Sequence, residues 1–243
     1  MNYQDSVPIE RRSLNVIFII DSSAMSSNDV SHHLMQSLDG ALNRIKTIEE
    51  KSADVKFRVS AMSCSSDIRW GEDLKSIEDL ANLFSSDSSD RESINLGEVF
   101  DELNLKSSSS TLFSMDQESK RGSFPPLYIF LLQGNSYNSW EESCKCLCQN
   151  NWYKYGARII VSYGQITDER LALELHAQEF TITDPHQFPS IIDQIIAPVD
   201  IIASCRSITS DIYDDIYNSR MDNYYQEVLG DRLGEYFGSY CYS

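Results

Sequence analysis

Short runs of apolar residues alternate along this chain with longer stretches where apolar residues recur every three or four positions. Residues 14–20 are apolar at nearly every position, the pattern of a strand buried on both faces of a parallel sheet. Val30, Leu34, Leu38, Leu42 and Ile45 then recur at helical spacing behind a capping pair, Asn28-Asp29, which predicts a helix to about Glu50. Residues 55–64 alternate through Val55, Phe57, Val59 and Ala61, a strand with one wetter face. Ile68-Arg69-Trp70, just before Gly71, reads as a short edge strand. The spacing predicts helices over 74–84, 96–105, 140–152, 168–177 and 188–196, and strands over 127–132, 157–163 and 180–183. In the last of these helices, Ile191, Ile192, Ile195 and Ile196 share one side.

Strands alternating with helices argue for a three-layer α/β fold, a doubly wound, mostly parallel sheet with helices on both faces. In such a fold ligands belong at the carboxyl ends of the strands. Residues 106–123, rich in serine and charge, interrupt the alternation and read as a long loop or a frayed helix inside the domain. The expected organisation is a polar N-terminal segment over 1–12, the α/β domain over 13–200, and a different C-terminal piece over 201–243. That last piece is dense in tyrosine (Tyr213, Tyr217, Tyr224, Tyr225, Tyr236, Tyr240, Tyr242) and carries Ile212/Ile216 and Leu229/Leu233 at helical spacing. It reads either as a helical extension packed on the domain or as a docking arm that orders on a partner.

Charge narrows the partners. With a formal net charge of −17 over 243 residues, the molecule repels nucleic-acid phosphates and anionic lipid, so neither is expected as a partner. No run approaches the roughly 20 apolar residues of a membrane span, and the polar N-terminus lacks the apolar core of a signal peptide, which together suggest a cytoplasmic protein. Six irregularly spaced cysteines fit reduced thiols better than a disulfide framework. Cys144-Lys-Cys146-Leu-Cys148 invites a zinc reading, but helical residues two apart point away from each other and no second cysteine pair or histidine follows.

The chemistry concentrates where the first strand ends, in Asp21-Ser22-Ser23-Ala24-Met25-Ser26. A buried strand that ends in an aspartate followed by hydroxyls delivers oxygen ligands to the rim of a sheet, where a hard cation can sit. This stretch resembles the first motif of the von Willebrand factor A (vWA) domain, whose metal-ion-dependent adhesion site (MIDAS) begins Asp-x-Ser-x-Ser. Asn95-Leu96-Gly97-Glu98-Val99-Phe100 is similar to the family's Thr-x-Leu-Gly helix start. Tyr128-Ile129-Phe130-Leu131-Leu132-Gln133-Gly134-Asn135, followed by Trp140-Glu141-Glu142, resembles its Phe-Leu-Leu-Thr-Asp-Gly strand end. The resemblance covers roughly residues 12–200 and, with the long insert before Pro125-Pro126, looks most like the bacterial TerY-type branch associated with tellurite resistance.

Carried over position by position, the resemblance implies a degenerate MIDAS. Asp21 and Ser23 stand where ligands belong. The fifth position of the first motif is Met25, a soft thioether ill suited to Mg²⁺. The threonine position falls on Ile94, which has no oxygen, and the third-loop aspartate on Gln133, which has only a neutral carbonyl. A local shift putting Ser26, Ser93 or Asn135 in their place would still leave one carboxylate against a dication. No metal or other cofactor is therefore expected; the alternative is Mg²⁺ held through Asp21 and Ser23. The rim of Asp21, Ser22, Ser23, Met25, Ser26, Ile94, Asn95, Gln133 and Asn135 is expected instead to bind another protein directly.

The TerY-type resemblance implies an adaptor in stress response or phosphosignalling, with a kinase or phosphatase encoded nearby as a possible partner. An enzyme is not expected. His32-His33 read as surface residues of the first helix, and His176 and His186 as isolated. The serines after Asp21 have no base in the sequence around them, and no Gly-rich phosphate loop is present. No feature specifies an oligomeric state.

Overall fold

The computed structural model describes residues 11–22, 28–53, 55–65, 67–84, 94–108, 123–133, 139–164 and 170–204. The strands are β1 (Arg12–Asp21), β2 (Val55–Cys64), β3 (Ile68–Gly71), β4 (Leu127–Gln133), β5 (Ala157–Tyr163) and β6 (Gln178–Ile182). They form one sheet in the order β3-β2-β1-β4-β5-β6, parallel throughout except for β3, which runs antiparallel at one edge. The helices are α1 (Asn28–Lys51), α2 (Ile77–Phe84), α3 (Leu96–Ser108), α4 (Glu141–Gln149), α5 (Asn151–Tyr155), α6 (Arg170–Glu174) and α7 (Phe188–Ser204), with a 3-10 turn, Pro185–Gln187, leading into α7. The doubly wound, mostly parallel α/β architecture expected from the alternation is present.

β1 is central and buried along nearly its whole length, paired with β2 over ten residues and with β4 over five. Alternate side chains reach opposite layers. Ile17 and Ile19 join Met62, Tyr128, Phe130 and Ile160 in a core closed by α3, α4, α5 and α6. Val16, Phe18 and Ile20, equally buried, turn to the other face. α1 packs through Leu34, Leu38, Leu42 and Ile45 and contacts β2, while taking no part in the first core.

Several boundaries differ from the sequence pattern, each for a local reason. The helix expected over 140–152 is two helices, because the extended Asn150 (φ −67°, ψ 126°) ends α4 and caps α5, accepting hydrogen bonds from the Trp152 and Tyr153 amides. Its Nδ2 also donates to Asn104 Oδ1 (3.0 Å) and Ser108 Oγ (2.8 Å). The helix expected from 74 begins only at Ile77. Leu74 donates its amide to Val59 O (2.8 Å), and the Asp79 carboxylate caps the Lys75 and Ser76 amides. Of the stretch 106–123, read as loop or frayed helix, residues 106–108 and 123 are described. α3 runs on to Ser108, with Ser107 Oγ 3.3 Å from the Tyr128 hydroxyl, and Ser123 bridges to Ser13 beside the sheet. α6 ends early because His176 adopts a positive φ of 50°.

The backbone divides into two compact units, with the boundary between Asp193 and Gln194, inside α7. In the first, Phe188 of α7 lies against Tyr163, ring centroids 6.0 Å apart. In the second, Ile195, Ile196 and Val199 are buried. The polar segment 1–12, apart from its last two residues, and the tyrosine-rich tail beyond α7 lie outside the described residues.

Candidate functional site

The carboxyl ends of β1 and β4 lie side by side, and the first expected site residue sits at that junction. Asp21 closes β1, is wholly buried, and accepts a hydrogen bond from the Gln133 amide of β4 (3.3 Å). A buried carboxylate needs such donors, since desolvation without them costs several kcal/mol. Asp21 pairs in register with Cys64 at the end of β2, and burial, with the Asp21 charge second, pushes the Cys64 thiol well above its ordinary pKa. Ser22 is also buried, and its hydroxyl donates to the Cys64 carbonyl (2.9 Å). That hydroxyl is engaged by backbone rather than held by a base.

Ile94 is buried in the same core as Cys64 and Leu132, so a hydrocarbon side chain occupies the start of α3. Asn95 serves the helix. Its carbonyl accepts from the Val99 amide (3.1 Å), its Oδ1 from the Glu98 amide (3.5 Å), and its Nδ2 donates to Glu98 Oε1 (2.8 Å). Asn95→Ala is accordingly expected to destabilise the domain by about 1 kcal/mol in urea unfolding, and Asn95→Ser by much less. Gln133 is half-buried and closes β4. Ser23, Met25, Ser26 and Asn135 lie outside the described residues, as does Ser93. The structure therefore brings together Asp21, Ser22 and Gln133, and buries Ile94 in the adjoining core.

Three further residues belong to this end of the sheet and are absent from the expected rim. Trp140, 2% exposed, leads into α4 and meets Phe100 of α3 edge-on, centroids 6.3 Å apart. Arg170 lies over the Trp140 ring at 5.9 Å and donates to Glu141 Oε1 (3.2 Å). Hydrogen bonding at the start of α4, together with Arg170, lowers the Glu141 pKa. Acidic residues opening a helix behind a tryptophan are a visible signal, but the pairing with Arg170 is not, because it joins α4 to α6 across 29 residues.

The histidines correct the sequence reading. His186 is not isolated: its ring lies 4.2 Å from that of His33, which in turn touches His32 edge-on and approaches Asp29 at 3.6 Å. Among the described residues no group of three or more His, Cys, Asp or Glu side chains is arranged to hold a metal ion. Also among them, no helix is long and apolar enough to cross a membrane.

No protein-family model and no curated protein matches this chain. Solved structures do. Proximal thread matrix protein 1 from the mussel byssus, in a form with a zinc-occupied MIDAS motif, superposes with a TM-score of 0.53 at 13% identity, over 79% of this chain and 48% of its own. Another structure of the same protein gives 0.52 at 11% identity, over 91% and 58%. A von Willebrand factor type A protein from Catenulispora acidiphila gives 0.50 at 10% identity, over 77% and 42%. The chain thus spans about half the length of the structures it matches. At such identities the likeness concerns the path of the backbone, and in that respect this chain has a vWA-type α/β fold.

Proposed function

We propose that this chain is a non-enzymatic protein-interaction module that binds another protein through the rim at the carboxyl ends of β1 and β4, without a metal ion. The observation that carries the reading is the state of Asp21. Its carboxylate is buried and engaged by the Gln133 amide, while Ile94 contributes hydrocarbon to the core beside it. A Mg²⁺ ion needs about six oxygen ligands in near-octahedral array. The described donors amount to one carboxylate already hydrogen-bonded, one serine hydroxyl committed to a carbonyl and the neutral amide oxygen of Gln133, so they fit the ion poorly. A rim whose one carboxylate is engaged within the fold and whose other residues are neutral or apolar suits direct side-chain docking better than a metal bridge to a partner's carboxylate.

Within that reading, the resemblance to the TerY-type branch makes an adaptor in bacterial stress response or phosphosignalling the preferred role, with a kinase or phosphatase as partner. A second reading is that an altered metal site survives and serves tellurite or metal stress. It is favoured by the zinc-occupied MIDAS of the mussel protein, since zinc accepts softer ligands than magnesium.

Calorimetric titration with Mg²⁺, Mn²⁺ and Zn²⁺, alongside thermal melts of wild type and Asp21→Ala, separates the two. The proposal expects no binding heat and no rise in melting temperature. A real site at a hundredfold excess over its Kd would stabilise the fold by about 2.7 kcal/mol. A metal-dependent rise that Asp21→Ala abolishes would sink the metal-free reading. Affinity capture with wild type and a Met25→Asp/Gln133→Lys variant then tests the rim, because identical partner sets would exclude it.

A further inference from the structure

Away from the rim, α4 carries three cysteines in three different settings. Cys144 is 1% exposed and belongs to the core, Cys146 points to solvent, and Cys148, one turn beyond Cys144 on the same helix face, is half-buried at the helix's end. Cys148 packs against the core edge, where its Sγ lies 3.3 Å from the Glu174 carbonyl. The neighbouring β5 residue Arg158 stretches over the Tyr153 ring, guanidinium 5.6 Å from the centroid, and its Nη1 donates to the Lys154 carbonyl (3.5 Å). Two thiols thus stack along one helix face beside a guanidinium, the outer one reachable from solvent and the inner one not.

We propose that Cys148 and Cys144 form a redox-active dithiol, Cys148 attacking hydrogen peroxide and Cys144 resolving the product. The microenvironment supports the division of labour. The Cys144 thiol one turn away, with the Arg158 charge, holds the Cys148 pKa below its ordinary value against the opposing effect of burial. The Cys148 sulfur beside it, with burial next, pushes the Cys144 pKa up, so the inner sulfur keeps its proton. Reactive cysteines sit in such electropositive, partly exposed places, and Cys144 needs to reach only its neighbour's sulfur. In its neutral form Cys148 donates to the Glu174 carbonyl, a contact given up on ionisation.

The chemistry balances. The Cys148 thiolate attacks the distal peroxide oxygen, an S–O bond forms, the O–O bond breaks, and hydroxide leaves to be protonated by solvent. The Cys144 sulfur then attacks the Cys148 sulfenic acid, an S–S bond forms, the S–O bond breaks, and the Cys144 proton leaves with the hydroxyl as water. The two sulfurs lose two electrons and hydrogen peroxide is reduced to two waters. Side chains one helical turn apart have Cβ atoms about 5–6 Å apart, while a disulfide needs about 3.5–4.5 Å, so the bond must draw in the last turn of α4. That turn is well placed to give, since α4 stops at Gln149 before the extended Asn150.

The test uses the folded full chain. Site-resolved mass spectrometry after brief iodoacetamide treatment at pH 7 is expected to find Cys148 alkylated about fivefold faster than the more exposed Cys146. One equivalent of hydrogen peroxide is expected to remove two hydrogens and link Cys148 to Cys144. Cys144→Ala should bring the Cys148 rate down to that of Cys146. Cys144→Ser, which keeps a donor, should retain the fast alkylation but stop at a sulfenic acid that dimedone traps. Circular dichroism confirms that each variant is folded. Cys146 reacting first in the wild type, or a peroxide-induced disulfide that leaves out Cys144, would overturn the assignment.

Discussion

Trp140→Ala is expected to destabilise the domain by about 3–5 kcal/mol, the largest single loss at the candidate site. The indole is almost wholly buried, and it closes the core where α3 and α4 approach the end of β4. Its ring stands perpendicular to Phe100, which in turn meets Phe130 of β4 edge-on at 6.3 Å, so three aromatic rings tie both helices to the sheet. Edge-to-face pairs add about 0.5–1.5 kcal/mol beyond the area they bury. Trp140→Phe keeps part of that packing and is expected to lose less than half as much. The Arg170–Glu141 pair on top of the ring is exposed and contributes little, because solvent screens it. Urea unfolding of Trp140→Ala, Phe100→Ala and the double variant measures the effect. The double loss should fall short of the sum of the singles by about 1 kcal/mol. Strict additivity would mean that the two rings do not act together.

The second large effect is expected from a methyl group added where none fits. A Cβ at Gly156 would stand 2.7 Å from Tyr128 Cε2, 2.8 Å from Pro126 O and 3.1 Å from Trp152 O. The backbone there is ordinary extended chain, φ −77° and ψ 155°, so glycine is required for space rather than for conformation. None of the three neighbours yields easily. Tyr128 is buried, tilted against Tyr153 at 4.9 Å and within hydrogen-bond distance of Ser107. The Pro126 carbonyl accepts the Ala157 amide at 2.9 Å, the bond that starts the β4–β5 pairing. Gly156→Ala is therefore expected to cost about 2–3 kcal/mol in urea unfolding. Gly40→Ala is the control. It lies within α1 with nothing inside 4 Å of its would-be Cβ, and there alanine should stabilise by about 0.5–1 kcal/mol. Equal effects at the two positions would refute the steric account.

How much of this was legible beforehand depends on how local the cause is. β2 and β5 are bounded where the pattern placed them, at Val55–Cys64 and Ala157–Tyr163, because alternation or a dense apolar run is written into consecutive residues. The break at Asn150 was missed because its apolar neighbours keep helical spacing through it. What ends the helix is an amide side chain capping the next turn and reaching across to Asn104 and Ser108 of α3. At the candidate site, Asp21 stands out at a strand end and Gln133 through the resemblance to the vWA motif, and their contact follows once β1 and β4 are neighbours. Arg170 over Trp140, His33 against His186, and the guanidinium beside Cys148 were invisible, since each joins elements that meet only in the folded chain.

The central place of β1 has a consequence for synthesis. The strand hydrogen-bonds β2 on one side and β4 on the other, yet Leu127, where β4 begins, follows Asp21 by more than a hundred residues. At translation rates of about 5–20 residues per second, β1 leaves the ribosome roughly 5–20 s before its second neighbour exists. For that interval a ten-residue strand, buried almost throughout in the finished sheet, has one pairing edge bare. Nascent chains halted between residues 64 and 127 are thus expected to engage chaperones more heavily than those extended past β5, and the vulnerable step in making this protein is the wait for β4.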